Sequence, residues 1–263
     1  TKKVRMNRNE RKMDGFGMKK NCKGFLSFCM AVTFALTLLP AIAPAAGAAW
    51  DGTNDTSWYA DPDASEYTIS DAADLAGLAQ LVNDGNAFSG KTILLGADIA
   101  LNNTAGWESW DGGTTGLNSW TPIGAYVDGE NDKPFSGTFS GQNHTVSGIY
   151  ISTGSDYQGL FGYCYQASVS SLTVMQSYIK GGNYVGSIAG STMNSTFSSC
   201  SNSGFVSGSL CVGGVVGLSG GTAGSCINSG SVTGGYGVGG IAGACGGTGD
   251  LTNCTNTGAI ATA

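Results

Sequence analysis

Tyr184-Val-Gly-Ser-Ile-Ala-Gly190 is one of four copies of a single pattern. Tyr157-Gln-Gly-Leu-Phe-Gly162 precedes it, and Cys211-Val-Gly-Gly-Val-Val-Gly217 and Gly237-Val-Gly-Gly-Ile-Ala-Gly243 follow. Their first aligned glycines, Gly159, Gly186, Gly213 and Gly239, are 27, 27 and 26 residues apart. A second unit keeps the same beat: Ser199-Cys-Ser-Asn-Ser-Gly-Phe-Val-Ser207, Ser225-Cys-Ile-Asn-Ser-Gly-Ser-Val-Thr233 and Asn253-Cys-Thr-Asn-Thr-Gly-Ala-Ile-Ala261. Short runs of Val, Ile, Thr and Ser, broken by glycine every few residues, do not make helices. A repeat this short has no core of its own, so successive copies must stack and share one.

Stacking places equivalent residues in columns, on parallel strands about 4.8 Å apart. Val185, Val212 and Val238 form one expected internal column; Ile188, Val215 and Ile241 form another. No proline occurs between Tyr157 and Ala263, as suits strands that donate N–H groups to neighbours on both sides. Glycine is expected to supply positive φ at the corners and to let coils approach closely. The fold class is therefore all-β, a parallel β-helix or solenoid, right-handed by the crossover rule. A β-propeller needs blades of roughly 40–50 residues, well above this period.

Upstream, residues 49–156 read as an N-terminal cap with the first coils. Ser70 is the expected N-cap of a capping α-helix over 70–83, whose first turn carries Asp71 and Asp74. Leu75, Leu78, Ala79 and Val82 make its apolar stripe, suited to closing the open end of a solenoid. Thr92–Leu95, Asp98–Leu101, Gly137–Phe139 and His144–Ile151 read as strands. Residues 157–263 are the repeat tract, which stops within a repeat.

The chain resembles the GLUG-motif repeat proteins through Gly159-Leu-Phe-Gly162, Trp120-Thr-Pro-Ile-Gly124, Pro134-Phe-Ser-Gly-Thr-Phe-Ser-Gly141 and Gln142-Asn-His-Thr-Val-Ser-Gly-Ile-Tyr150. The opening Trp50-Asp-Gly-Thr and Ser57-Trp-Tyr59 belong to the same likeness, which covers residues 50–263. It implies a β-helical part of a secreted or wall-attached bacterial surface protein, adhesin-like in some relatives. It also implies, for others, the non-catalytic region of an IgA-cleaving metallopeptidase. It carries over no catalytic residue, and further repeats or domains beyond Ala263 are its expectation.

The front of the chain has a different character. Nine of the 12 Lys and Arg and two of the 18 acids fall in residues 1–48. A basic stretch from Met18, the apolar run Phe25–Ile42 and the small-residue sites Ala43-Pro44-Ala45 and Ala46-Gly47-Ala48 read as a secretory signal peptide, with residues 1–17 upstream. Export follows, to the medium or the cell surface, with no membrane span after cleavage. The remainder holds 16 acids, three lysines and no arginine, a net charge of about −13. Such a surface does not neutralise a row of phosphates, so nucleic acid is excluded.

Candidate chemistry is sparse. His144 is the single histidine and lacks the partners of a metal site or triad, so it reads as a turn or core residue. No H-E-x-x-H occurs. Glycoside hydrolysis needs two carboxylates across one bond, and the repeats offer only Asp250. No catalytic residue is assigned. Cys200, Cys226 and Cys254 share one repeat position, and Cys164 and Cys245 another. Strand spacing exceeds the roughly 3.5–4.5 Å between Cβ atoms that a disulfide requires, so free buried thiols are expected. Asp128, Glu130 and Asp132 alternate in a loop that fits either Ca²⁺ or a plain acidic surface; no other cofactor is expected.

The remaining candidate is a binding surface. The insertion 102–133 carries Trp107, Trp110, Trp120 and Tyr126 among Asn, Ser and Gly. Exposed aromatics in that setting stack on sugar rings while polar neighbours take the hydroxyls. Alternatively, Trp120 and Tyr126 belong to the core and only the tip with Trp107 and Trp110 is exposed. Three functions stand: a non-catalytic adhesin-like or spacer module binding glycans or host surface proteins, the stalk of a larger exported metallopeptidase, or a β-helical carbohydrate-active enzyme.

Overall fold

The structure, a computed structural model, describes residues 50–247 and 249–262. The expected signal peptide therefore lies outside the described residues. Short strands form three sheets, and every pairing between strands is parallel. The first sheet runs through Glu66–Ile69, Thr92–Leu95, Thr138–Ser140, Ser168–Ser170, Ala189–Ser198, Val216–Gly224 and Ala242–Cys245. The second orders Tyr150–Ser152, Tyr178–Lys180, Phe205–Gly213, Val232–Gly239 and Ile260–Thr262. The third orders Ile99–Ala100, Thr145–Ser147, Thr173–Met175, Ser201–Asn202, Ile227–Asn228 and Thr255–Asn256. Each coil visits the first, third and second sheets in turn. This is a parallel β-solenoid, as the repeat period requires.

Registration builds the core by columns. Tyr67, Ile93, Phe139, Val169, Phe197, Ala223 and Leu251 are successive partners in the first sheet. All but Leu251 are buried, and Leu251 is 38% exposed on the last coil. Val185 and Val212 are fully buried and Val238 packs against them; Ile188, Val215 and Ile241 are buried. Both expected internal columns are present.

The third sheet shows a change of chemistry that the repeat alignment hides. Its inward column reads Ile99, Val146, Val174 and then Asn202, Asn228 and Asn256. Asn202 Nδ2 donates to Asn228 Oδ1 at 2.8 Å, and Asn228 Nδ2 donates to Asn256 Oδ1 at 2.7 Å. Each amide also donates to the carbonyl two residues on, at Gly204, Gly230 and Gly258. The column is buried at Asn202 and Asn228, and polar side chains are tolerable there because each amide bonds both the next rung and a glycine carbonyl.

Glycine works differently from expectation. The left-handed corners fall mostly on other residues: Tyr157, Tyr184 and Cys211 have φ of 60°, 59° and 55°, and only the fourth member of that column, Gly237, is glycine. Asn143, Ser171, Ser199, Ser225 and Asn253 form a second such column, with φ between 53° and 65°. The motif glycines instead make room. A Cβ on Gly186 would lie 2.4 Å from the Ala189 carbonyl oxygen, and one on Gly213 would lie 2.0 Å from that of Val216. Close approach, the other half of the expectation, holds.

The helix spans Ala72–Asn83, and its N-cap falls one residue later than expected. Asp71, not Ser70, is the N-cap: its carboxylate accepts from the Asp74 N–H at 2.9 Å, while Asp74 accepts from the Ser70 N–H. Leu75, Leu78, Ala79 and Val82 are buried in the main core, as their spacing predicts. Asn83 fastens the C-terminal end, donating to the Pro122 carbonyl and accepting from the Gly124 N–H. The expected strand His144–Ile151 is two strands in different sheets, because Gly148 turns the chain between them at φ 71°. Among the described residues no helix is long and apolar enough to cross a membrane, which says nothing of β-barrels.

Candidate functional site

Two aromatic ladders run along the outside of the second sheet. Tyr150, Tyr178 and Phe205 are in register on successive coils, with ring centroids 5.8 and 5.2 Å apart and planes tilted by 26° and 18°. The next member of that column is Ser231, whose carbonyl accepts from Val206 N–H. The stack therefore ends at Phe205, with a small exposed residue where another ring would fit. Tyr126, Tyr157 and Tyr184 form the second ladder, at 5.0 and 4.9 Å, and it gives way to Cys211. Burial pushes the Tyr157 hydroxyl up to about 12, helped by its tyrosine neighbours, so it stays protonated as a donor.

The insertion closes over the first ladder. Its neck is held by buried Asn102, whose side chain donates to the carbonyls of Asn118 and Gly148 and accepts from the Asn118 N–H. Its tip is a 3-10 turn, Trp107–Ser109, entered through Gly106 at φ 71°. Trp110 meets Tyr150 edge to face at 6.0 Å, and the Tyr150 hydroxyl donates to the Asp111 carbonyl at 2.9 Å. Trp110, Tyr150 and Tyr178 make a second small hydrophobic cluster, with Trp107, Leu117 and Phe205 packed against it.

Between this turn and the sheet lies a groove of about 440 Å³. Trp107, Glu108 and Trp110 line one side; Tyr178, Phe205 and the serines Ser203, Ser229 and Ser231 line the other. Trp107 and Phe205 are half-buried, and Ser229 and Ser231 are exposed. Aromatic surface, hydroxyl groups and the carboxylate of Glu108 thus converge on one volume. A flat ring with apolar faces and a polar rim can be stacked and hydrogen-bonded there.

The other expected site residues fall elsewhere. Trp120 is buried core and donates its indole N–H to the Leu160 carbonyl at 3.1 Å, whereas Tyr126 is 39% exposed. Only half of the core alternative for that pair holds. Trp110, read as an exposed tip residue, is buried because Tyr150 covers it. Asp128, Glu130 and Asp132 do not line the groove and do not converge. Asp132 accepts from the N–H groups of Val127, Asp128 and Gly129, and Asp128 accepts from those of Glu130 and Asn131. These bonds hold the Asp128 carboxyl below its ordinary range. Among the described residues no group of three or more His, Cys, Asp or Glu is arranged to hold a metal ion.

His144 sits at a turn, its Nδ1 3.2 Å from Asp98 Oδ1. The Thr145 N–H bonds the same carboxylate and is the main cause of its lowered pKa. All six described cysteines are free, with Cys164, Cys200 and Cys226 buried. The sequence reading missed Tyr178 and Phe205 as wall residues, although Tyr150, Tyr178 and Phe205 keep the repeat's own spacing of 28 and 27.

Fold and groove together define a parallel β-solenoid with a lateral aromatic groove. No protein-family model matches the chain. It is 33% identical over 173 residues, 64% of its length, to Halomucin of Haloquadratum walsbyi. The chain spans only 2% of that relative. Among solved structures it is similar to a candidate immunoglobulin A1 protease from Bacteroides ovatus, at 19% identity and a TM-score of 0.41, over 73% of this chain and 67% of that one.

Proposed function

We propose that the chain is a non-catalytic, exported β-solenoid module of GLUG-repeat type, secreted or displayed at the cell surface. In this reading it acts as an adhesin-like element that holds glycans, free or on host surface proteins, between Trp107 and Phe205. The observation that carries the reading is the aromatic ladder that stops at Phe205 beside an insertion tip bearing Trp107. A pyranose ring laid on Phe205 would take the place of the next rung. Its hydroxyls would meet Ser229 and Ser231, and Trp107 would flank it. Export is supported by the basic, apolar and small-residue regions of the first 48 residues. No cofactor is assigned, and the acidic loop 128–132 serves to order itself.

Calorimetric titration of the mature chain with a panel of neutral hexose oligosaccharides tests the reading. Binding is expected for the wild type and loss for Trp107→Ala. Ser231→Tyr is the second probe, since it extends the ladder into the groove at an exposed position and should block binding without unfolding the chain. A wild type that binds no glycan, or binding undiminished in both variants, overturns the proposal.

A further inference from the structure

The groove has a one-sided electrostatic character. Glu108 is the single charged side chain among its lining residues. Its carboxylate is exposed and forms no hydrogen bond or ion pair with any described residue. The turn Trp107–Ser109 places it next to Trp107, which lines the same groove. No lysine is among the lining residues: Lys180, two residues past Tyr178 on the same strand, reaches toward Gly112, Lys133 lies beside Gly85, and Lys91 donates to the carbonyls of Pro62 and Ala64 in the cap. The chain from residue 50 onward carries 16 acids against three lysines and no arginine, so the long-range potential has the sign of Glu108. An anionic ligand would enter a negative field and, among the lining residues, find only hydroxyls and backbone groups to meet its charge. A charge that leaves water without a cationic partner loses more than it gains. The hydroxyls of an uncharged sugar carry no such cost: the Ser231 hydroxyl can donate or accept, and the Ser229 hydroxyl, which donates to the Asn202 carbonyl at 3.3 Å, can accept.

Resting on the glycan reading above, we infer that the groove selects neutral sugar chains over those bearing carboxylate, sulfate or phosphate, and that Glu108 is the specificity-determining residue. Each neutral oligosaccharide of the panel is titrated beside its C6-oxidised counterpart, which differs only by a carboxylate on each ring. The neutral member is expected to bind tighter by about fivefold at low salt, the upper range for an exposed charge pair. Raising the ionic strength to about 0.5 M should shrink that ratio, because the interaction is screened over a few ångströms. Glu108→Gln should bring the ratio to within about twofold, while Asp128→Asn, in the distant acidic loop, should leave it near the wild-type value. An oxidised member that binds as well as its neutral partner overturns the inference, as does a ratio unchanged by Glu108→Gln. If no member of either series binds the wild type, the glycan reading itself fails, which is a separate result.

Discussion

Replacing Asn228 by Ala is the sharpest probe of how the solenoid holds its register. Asn228 is fully buried and makes three side-chain hydrogen bonds: to Asn202 at 2.8 Å, to Asn256 at 2.7 Å and to the Gly230 carbonyl at 2.9 Å. Each is worth about 1 kcal/mol net, and truncation also leaves one side-chain N–H of buried Asn202 without its acceptor and opens a small void. The expected cost is about 3–4 kcal/mol, a fall in urea midpoint of on the order of 1–2 M. Asn256→Ala in the chain ending at Ala263 is the contrast, since that rung is exposed there and water replaces its partner; it should cost less than about 1 kcal/mol. The Asn202→Ala, Asn228→Ala double variant should cost about 1 kcal/mol less than the two singles together, because both singles remove their shared bond. Urea unfolding followed by circular dichroism and by tryptophan fluorescence measures all four chains. A cost below about 1 kcal/mol for Asn228→Ala, or additivity of the pair, would refute the ladder as a cohesive element.

Gly186→Ala places a Cβ 2.4 Å from the Ala189 carbonyl oxygen and 2.7 Å from the Gly217 nitrogen, so it should cost about 3 kcal/mol or more by thermal unfolding. Gly154→Ala, which meets nothing within 4 Å and has no positive φ, should stay within about 0.5 kcal/mol of the wild type. Ser225 holds φ of 53° in a column where Asn143 and Asn253 already supply asparagine, so Ser225→Asn should stabilise by about 0.5 kcal/mol. Complete burial pushes the Cys164 thiol far above its ordinary range. The unfolded chain ionises that thiol near its usual pKa and the folded chain does not. Its contribution is therefore intact below about pH 8.5 and falls by about 1.4 kcal/mol per pH unit above it. Urea midpoints at pH 7.5 and 9.5 check this, with Cys164→Ala flattening the slope.

Much of the solenoid is legible in the spacing of Gly159, Gly186, Gly213 and Gly239, because a period near 27 has few other solutions. The internal valine columns and the helix stripe follow from the same periodic logic. Features set by one local dihedral do not. Gly148 splits an apparently continuous run into strands of two sheets, and the left-handed corners sit on Tyr184, Cys211 and Ser199, whose side chains carry no such signal. The asparagine ladder was visible as a repeated letter, but its inward direction depends on which face the third sheet presents. For the groove, aromatic clustering picked out Trp107 and Trp110. Their partners Tyr178 and Phe205 lie about 70 and almost 100 residues further on, and only the coil register brings them under the insertion.

A crystal structure of residues 50–263 soaked with the tightest-binding neutral oligosaccharide tests the central claim most directly. A pyranose ring is expected face to face with Phe205, flanked by Trp107 and within hydrogen-bond distance of Ser229 or Ser231. A sugar seated on another face of the solenoid, with the groove holding only water, would contradict it.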